Sequence, residues 1–190
     1  LAAARVPLLG WSGVRSRLVE RLGDRLSLLT RGAADAVDRH RTLRAALAWT
    51  HGLLAPAEQQ VLAALSVFAG GFTLAAAVAV AGPDDADAVL DAVDSLRDRS
   101  LLVRAGDGDP PRWRLYDSVR SLAAESLAAS PAHAAVRRRF VGHLTAVFEA
   151  AEADFATRAQ RQWLARWRPE ADNLQAALDL ALHDPALRLD

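Results

Sequence analysis

Apolar residues recur every three or four positions through most of the 190-residue chain, and that period breaks in only a few places. Residues 1–9 read as the end of a helix, closed by Pro7 and Gly10. From Val14 to Leu29, Leu18, Leu22, Leu26 and Leu29 keep the spacing while Arg15, Arg17, Glu20, Arg21 and Arg25 fall on the other face, which predicts an amphipathic helix. Gly32 to Asp38 interrupts the period. Thr42 is placed to N-cap a third helix through Leu43, Ala46, Leu47, Trp49 and Leu53 to Leu54.

After Pro56 the segments shorten. Pro56 suits a first helical turn, and Val61, Leu62, Leu65, Val67 and Phe68 make a nearly all-round apolar surface, as a central helix requires. Gly70-Gly71 ends it. A short apolar helix then starts at Phe72-Thr73, capped by Thr73, and stops at Gly82-Pro83. A helix of opposite character follows from Asp85 to about Arg99, with Val89, Leu90, Val93 and Leu96 inward and Asp87, Asp91, Asp94 and Asp98 outward. Leu101 to Arg104 and Arg112 to Tyr116 are strand-like, and the Gly- and Pro-rich stretch Ala105 to Pro111 between them reads as a hairpin loop. Beyond Asp117, Val119, Leu122, Ala123, Ser126 and Leu127 share a helical face. Three short helices, a hairpin and a further helix are the order of a winged helix domain.

Past Ser130-Pro131 longer amphipathic helices return. Val136, Phe140, Leu144, Val147, Phe148, Ala151 and Phe155 mark one, Trp163, Leu164 and Trp167 a shorter one, and Leu174, Ala177, Leu178 and Ala181 a last one from Pro169 to about His183. The expected fold is mainly α: a winged helix domain with one small β-hairpin, flanked by helical segments of which the C-terminal one starts a helical repeat.

Composition narrows the chemistry. There is no cysteine, so thiol catalysis, Cys-based zinc sites and iron–sulfur clusters drop out. All basic residues are Arg, and 23 of them balance 23 carboxylates, which argues against a chain that coats nucleic acid through bulk charge. Methionine is absent, and the reading is of a fragment of a larger protein. No apolar run reaches the ~18 residues of a bilayer span, so no membrane partner is expected and the location is read as cytoplasmic. His40, His51, His133, His143 and His183 show neither an i, i+4 pair nor an HExxH, so no metal site is expected. Ser12, Ser66 and Ser118 lack a nucleophile elbow, and no phosphate loop is possible without lysine. The chain is read as non-catalytic, with no cofactor of its own.

A winged helix raises DNA binding, because the third helix of such a domain commonly enters the major groove. Here residues 84–99 carry six Asp against two Arg, and carboxylates oppose the counterion release that drives binding, so direct DNA contact by this helix is not expected. Arg104, Arg112 and Arg114 on the hairpin are offset by Asp107 and Asp109. Arg41 and Arg44, beside Arg39 and His40, are candidates to meet an anion just before the winged helix.

Several strings together carry a family resemblance: Leu1 to Val6, Arg25 to Leu29, Arg41 to Trp49, Leu65 to Phe72, Leu96 to Leu102, Arg114 to Arg120 and Glu170 to Leu178. In this order they resemble the segment after the nucleotide-binding domain in bacterial STAND-class ATPases, including large transcriptional regulators of the SARP and LuxR type. The resemblance implies that residues 1–38 end a helical domain, 39–130 form the winged helix domain and 131–190 begin tetratricopeptide-like repeats. It implies a regulatory module that couples the ADP/ATP state of an upstream nucleotide-binding domain in the same chain, with magnesium, to partner proteins on the repeats. In related NB-ARC proteins a Met-His-Asp motif senses nucleotide. The matching positions are Leu115, Tyr116 and Asp117, which makes Tyr116 and Asp117 the candidate sensors, Asp117 also being placed to cap a helix from Ser118. The alternative reading is a DNA-binding winged helix-turn-helix domain of a transcriptional regulator.

Overall fold

Proline at a first helical turn has no N–H to lose there, and Pro56 opens the helix around which the fold is built. The structure is a computed structural model that describes residues 44–187. The helices expected over 1–9 and 14–29, the break at 32–38, the cap at Thr42 and Arg41 lie outside those residues. From Leu47 onward the described residues form one compact unit.

Helix α1 covers residues 44–52. Trp49 and Leu53, expected on its apolar face, are exposed, and the buried residue of this stretch is Leu54. Helix α2 spans Pro56–Leu65, its start fixed by the Ala55 N–H donating to Glu58 Oε2 at 2.7 Å. Every residue from Val61 to Leu65 is buried, as the all-round apolar pattern requires of a central helix. The helix ends before Val67 and Phe68, with the Ser66 hydroxyl donating to the Ala63 carbonyl at 2.6 Å. Phe68 still enters the core, its ring 5.1 Å from that of Phe72 and 5.2 Å, edge to face, from that of Phe140.

Phe72–Thr73, read above as the start of a helix, is strand β1. It pairs antiparallel with β3 (Arg112–Leu115), Phe72 opposite Trp113, and β3 pairs on its other side with β2 (Leu102–Arg104), giving the order β1-β3-β2. A two-residue strand has no alternation to read, and its partner lies far along the chain. Helix α3 (Leu74–Ala81) follows directly, with Thr73 Oγ1 accepting from the Ala76 N–H at 3.2 Å, as its cap position predicts.

Helix α4 (Ala86–Asp98) is capped by Asp85, whose Oδ1 accepts from the Ala88 N–H at 3.1 Å. It buries Val89, Ala92, Val93 and Leu96, whereas Leu90, expected inside, is 38% exposed. Its end is a Schellman turn: Leu101 N–H reaches Leu96 O at 2.9 Å, Ser100 N–H reaches Arg97 O at 2.8 Å, and both leucines are buried. Ser100 takes the left-handed conformation this turn demands, with φ of 58°.

Helix α5 (Asp117–Ala128) packs on α2 and buries Val119, Ala123 and Leu127. Helix α6 (His133–Phe155) lies against α3, and after α7 (Gln160–Trp167) and a 3-10 turn (Arg168–Glu170), α8 (Ala171–His183) returns along α6. One continuous apolar core runs from Leu54 through Leu65, Phe72, Leu96 and Phe140 to Ala177 and Leu187. Phe155, counted on the apolar stripe of α6, is exposed at the helix end, where its ring meets Trp163 edge to face at 5.4 Å.

Candidate nucleic-acid interface

The order α2-β1-α3-α4-β2-β3 places α3 and α4 as a helix-turn-helix pair with the β2–β3 hairpin beside it. The inner face of α4 is apolar and holds it to α2 and α3, which leaves Asp87, Leu90, Asp91, Asp94 and Asp98 outward. Local pairing reduces the negative charge this face presents. Asp85 is used as the cap, and Arg97 pairs with Asp94 at 2.8 Å and with Asp98 at 3.0 Å. The Asp98 bond, with Asp94 next, holds the Arg97 guanidinium above its ordinary pKa. At the root of the helix the Ser95 hydroxyl donates to the Glu58 carboxylate. That bond, and after it the Ala55 N–H, hold the Glu58 carboxyl below its usual range.

On the hairpin, Val103 faces Arg114 and Arg104 faces Trp113. Successive strand residues alternate sides, so exposed Arg104 and Arg114 project from opposite faces of the hairpin. Arg104 Nε donates to Gly106 O at 3.2 Å. Trp113 is partly buried and packs against the core.

Arg112 shares the face of Arg114 but is turned into the protein. Its guanidinium pairs with the Glu170 carboxylate, donates to the Gly71 carbonyl and reaches the Pro169 carbonyl at 3.3 Å. Asn173, fully buried, completes the cluster: Oδ1 accepts from the Gly70 N–H at 2.9 Å, and Nδ2 donates to Gly71 O at 2.9 Å and to Glu170 Oε2 at 3.0 Å. Gly70-Gly71 is thus more than a helix break. A Cβ on Gly71 would lie 3.2 Å from Ala105 Cβ and 3.4 Å from the Trp113 carbonyl, a tight fit that requires the hairpin to give by a few tenths of an ångström.

Tyr116 is 44% exposed at the start of α5, its carbonyl accepting from the Arg120 N–H at 2.8 Å. The cap position belongs to Tyr116 and Asp117 is already helical, so Asp117 does not cap a helix from Ser118. Arg44 is exposed on α1, and Arg41 lies outside the described residues. Among the described residues no cluster of His, Cys, Asp or Glu is arranged to hold a metal ion, and no helix is long and apolar enough to cross a membrane.

Comparison with known proteins agrees with this geometry. Residues 54–128 match the family of winged helix-turn-helix domains, and that is the class of domain they form. Over 162 residues, 84% of the chain, it is 38% identical to candidate HTH-type transcriptional regulators of Mycobacterium tuberculosis and Mycobacterium bovis, and covers 18% of each. Over 148 residues, 76% of the chain, it is 36% identical to an uncharacterized protein of Mycobacterium tuberculosis, of which it covers 36%. The chain therefore spans between about a fifth and a third of the curated relatives it matches. No solved structure matches it.

These findings overturn the expectation that residues 84–99 stay away from DNA. A winged helix-turn-helix domain is built to present this helix to the duplex, and the matched regulators bear the same designation. Net charge along residues 84–99 does not describe how single side chains meet a duplex. Asp85, Asp94 and Asp98 have local partners, phosphate contacts in protein–DNA complexes can come from elements other than the helix in the groove, and a carboxylate is itself a base-edge group that accepts from cytosine N4.

Sequence reasoning did not find the Arg112, Glu170 and Asn173 cluster. One signal was available: Asn173 lies on the stripe of α8 that carries Ala177, and an amide on a buried face needs partners.

Proposed function

We propose that residues 54–128 are the DNA-binding domain of a transcriptional regulator, with α4 offered to the major groove and the hairpin alongside. The observation that carries the reading is the outer face of α4, exposed among the described residues, in a domain that matches the winged helix-turn-helix family. The names of the similar mycobacterial regulators support it. Arg104 and Arg114, on opposite faces of the hairpin, each supply a phosphate contact to a different DNA strand, and the carboxylates on α4 favour cytosine amino groups. Fluorescence anisotropy of the 190-residue chain on a short mixed-sequence duplex tests it. Affinity falls steeply between about 50 and 200 mM salt, and Arg104→Ala or Arg114→Ala flattens the log–log slope by about 0.9 each. A chain that binds no duplex at the lowest salt sinks the reading.

A second reading is that the same module sits in a STAND-class regulator and passes on an ADP/ATP state, with Tyr116 and Asp117 near the nucleotide and Arg41 and Arg44 near an anion. The observation that favours it is that the matched regulators extend well beyond the chain, which covers 18% of them. Its test is ADP release from the intact protein. A Tyr116→Ala change that leaves the release rate unaltered removes the sensor assignment.

A further inference from the structure

We propose that Asn173 and Arg139 are positioning residues that clamp α3, the first helix of the helix-turn-helix, at both ends, so that the C-terminal helices α6 and α8 set how α3 and α4 are presented. The consequence for DNA affinity rests on the DNA-binding reading above.

At the leading end, Gly70 and Gly71 enter β1, which runs directly into α3. The Asn173 carboxamide pairs with the Gly70 N–H and the Gly71 carbonyl, at 2.9 Å each. Both Nδ2 hydrogens and Oδ1 are engaged. The Gly71 carbonyl also accepts from Arg112 of β3, so one oxygen joins the lead into α3, the hairpin and the C-terminal segment. At the trailing end, the last carbonyls of a helix lack partners within it and attract cations. Arg139 of α6 fills that need, donating from Nε to Val80 O at 2.7 Å and from Nη2 to Ala81 O at 3.4 Å.

Between these points α3 buries only the small Ala76, Ala77 and Val80, with Val78 and Ala81 partly buried against the core. Small apolar side chains hold a helix against its neighbours, but the hydrophobic effect is non-directional and leaves rotation weakly specified. The hydrogen bonds at the two ends are directional and fix it. Asn173 is fully buried, so its polar atoms are satisfied only with α8 seated where it is. A shift of α8 on α6 therefore releases the lead into α3 and the hairpin together.

Hydrogen exchange on the 190-residue chain tests this with Asn173→Asp, which keeps the shape and the acceptor for Gly70 but loses both donations, and with Arg139→Met. In Asn173→Asp the amides of Gly70, Ala76 and Ala105 exchange roughly ten- to a hundredfold faster while those of Leu62 and Leu65 stay as they were. In Arg139→Met the acceleration begins at the α3 end and also reaches Ala76. Duplex affinity drops about three- to tenfold in both variants with the salt slope unchanged, because no phosphate contact is removed. Should Asn173→Asp unfold α2, Glu170→Gln takes its place, with a weaker effect in the same pattern. Acceleration confined to Gly70, with α3 and Ala105 at wild-type rates, overturns the proposal, as does affinity lost with a flatter salt slope. If the wild-type chain binds no duplex, the DNA reading fails alone and the exchange pattern still decides the clamp.

Discussion

The Asn173 carboxamide holds the backbone N–H of Gly70 at 2.9 Å across 103 residues of chain. This contact ties the lead into the helix-turn-helix to a helix beyond the segment that matches the winged helix family, residues 54–128. The tie depends on close approach, since a Cβ on Gly70 would stand 3.3 Å from Asp172 Cβ and 3.5 Å from Asn173 Oδ1.

Replacing Gly71 by alanine crowds the facing hairpin. Gly71→Ala meets Ala105 Cβ and the Trp113 carbonyl, neither of which is a flexible side-chain end. It destabilises by about 1–3 kcal/mol in urea unfolding. Gly106→Ala sets a contrast: its added Cβ meets nothing, and its cost comes from φ of 80° alone.

Phe140 of α6 is fully buried and sits edge-on to Phe68. Phe140→Ala lowers stability by about 3–5 kcal/mol. Because the core is continuous, the loss appears as one earlier cooperative transition by both far-UV circular dichroism and tryptophan fluorescence. Two separate transitions, with the α2 amides still protected after the first, would show that α6 and the winged helix unfold independently.

Ser100 occupies a left-handed turn position with φ of 58°. Glycine takes that conformation without the Cβ penalty, although it adds freedom to the unfolded chain. Ser100→Gly is expected to raise stability by about 0.5–1 kcal/mol, read as a higher urea midpoint at unchanged m-value.

Glu58 and His143 both contribute to the acid side of the stability profile. The Glu58 carboxyl is depressed by the Ser95 hydroxyl and then the Ala55 N–H, so its contribution is complete above its ordinary value of 4.5 and is lost as pH falls through the lower folded value. His143 is held below 6.5 by burial, with Glu170 opposing. The unfolded chain takes up that proton first, so stability falls as pH drops below 6.5 toward the folded value and is level above it. Urea midpoints across this range show both steps. His143→Gln removes the upper step and Glu58→Gln reduces the lower one, to which Asp154, depressed by Arg158, also contributes.

Much of the candidate interface was legible because its signals are local. Thr73 and Asp85 each cap a helix that begins at the next residue, and the Gly and Pro content of residues 105–111 marks a hairpin. Strand β1 was not legible, since two residues carry no period and become a strand only by pairing with Arg112 and Trp113. Leu90 misled for another reason: a helical stripe is wider than the surface its neighbours cover, and here they cover Val89, Ala92, Val93 and Leu96. Charge misled most. Counted along residues 84–99 it opposed DNA, yet Arg97 is close enough to engage two of those carboxylates.

Periodicity, capping residues and turn residues set the order of helices and hairpin, because each acts within a few positions of chain. The tertiary structure alone decided that Asn173 and Arg139 grip the two ends of α3 and that Arg112 turns inward while Arg104 and Arg114 remain exposed. Those outcomes depend on hydrogen bonds between groups far apart in the chain. A buried amide or guanidinium takes whichever partners the packed helices bring to it, and no local pattern records that choice.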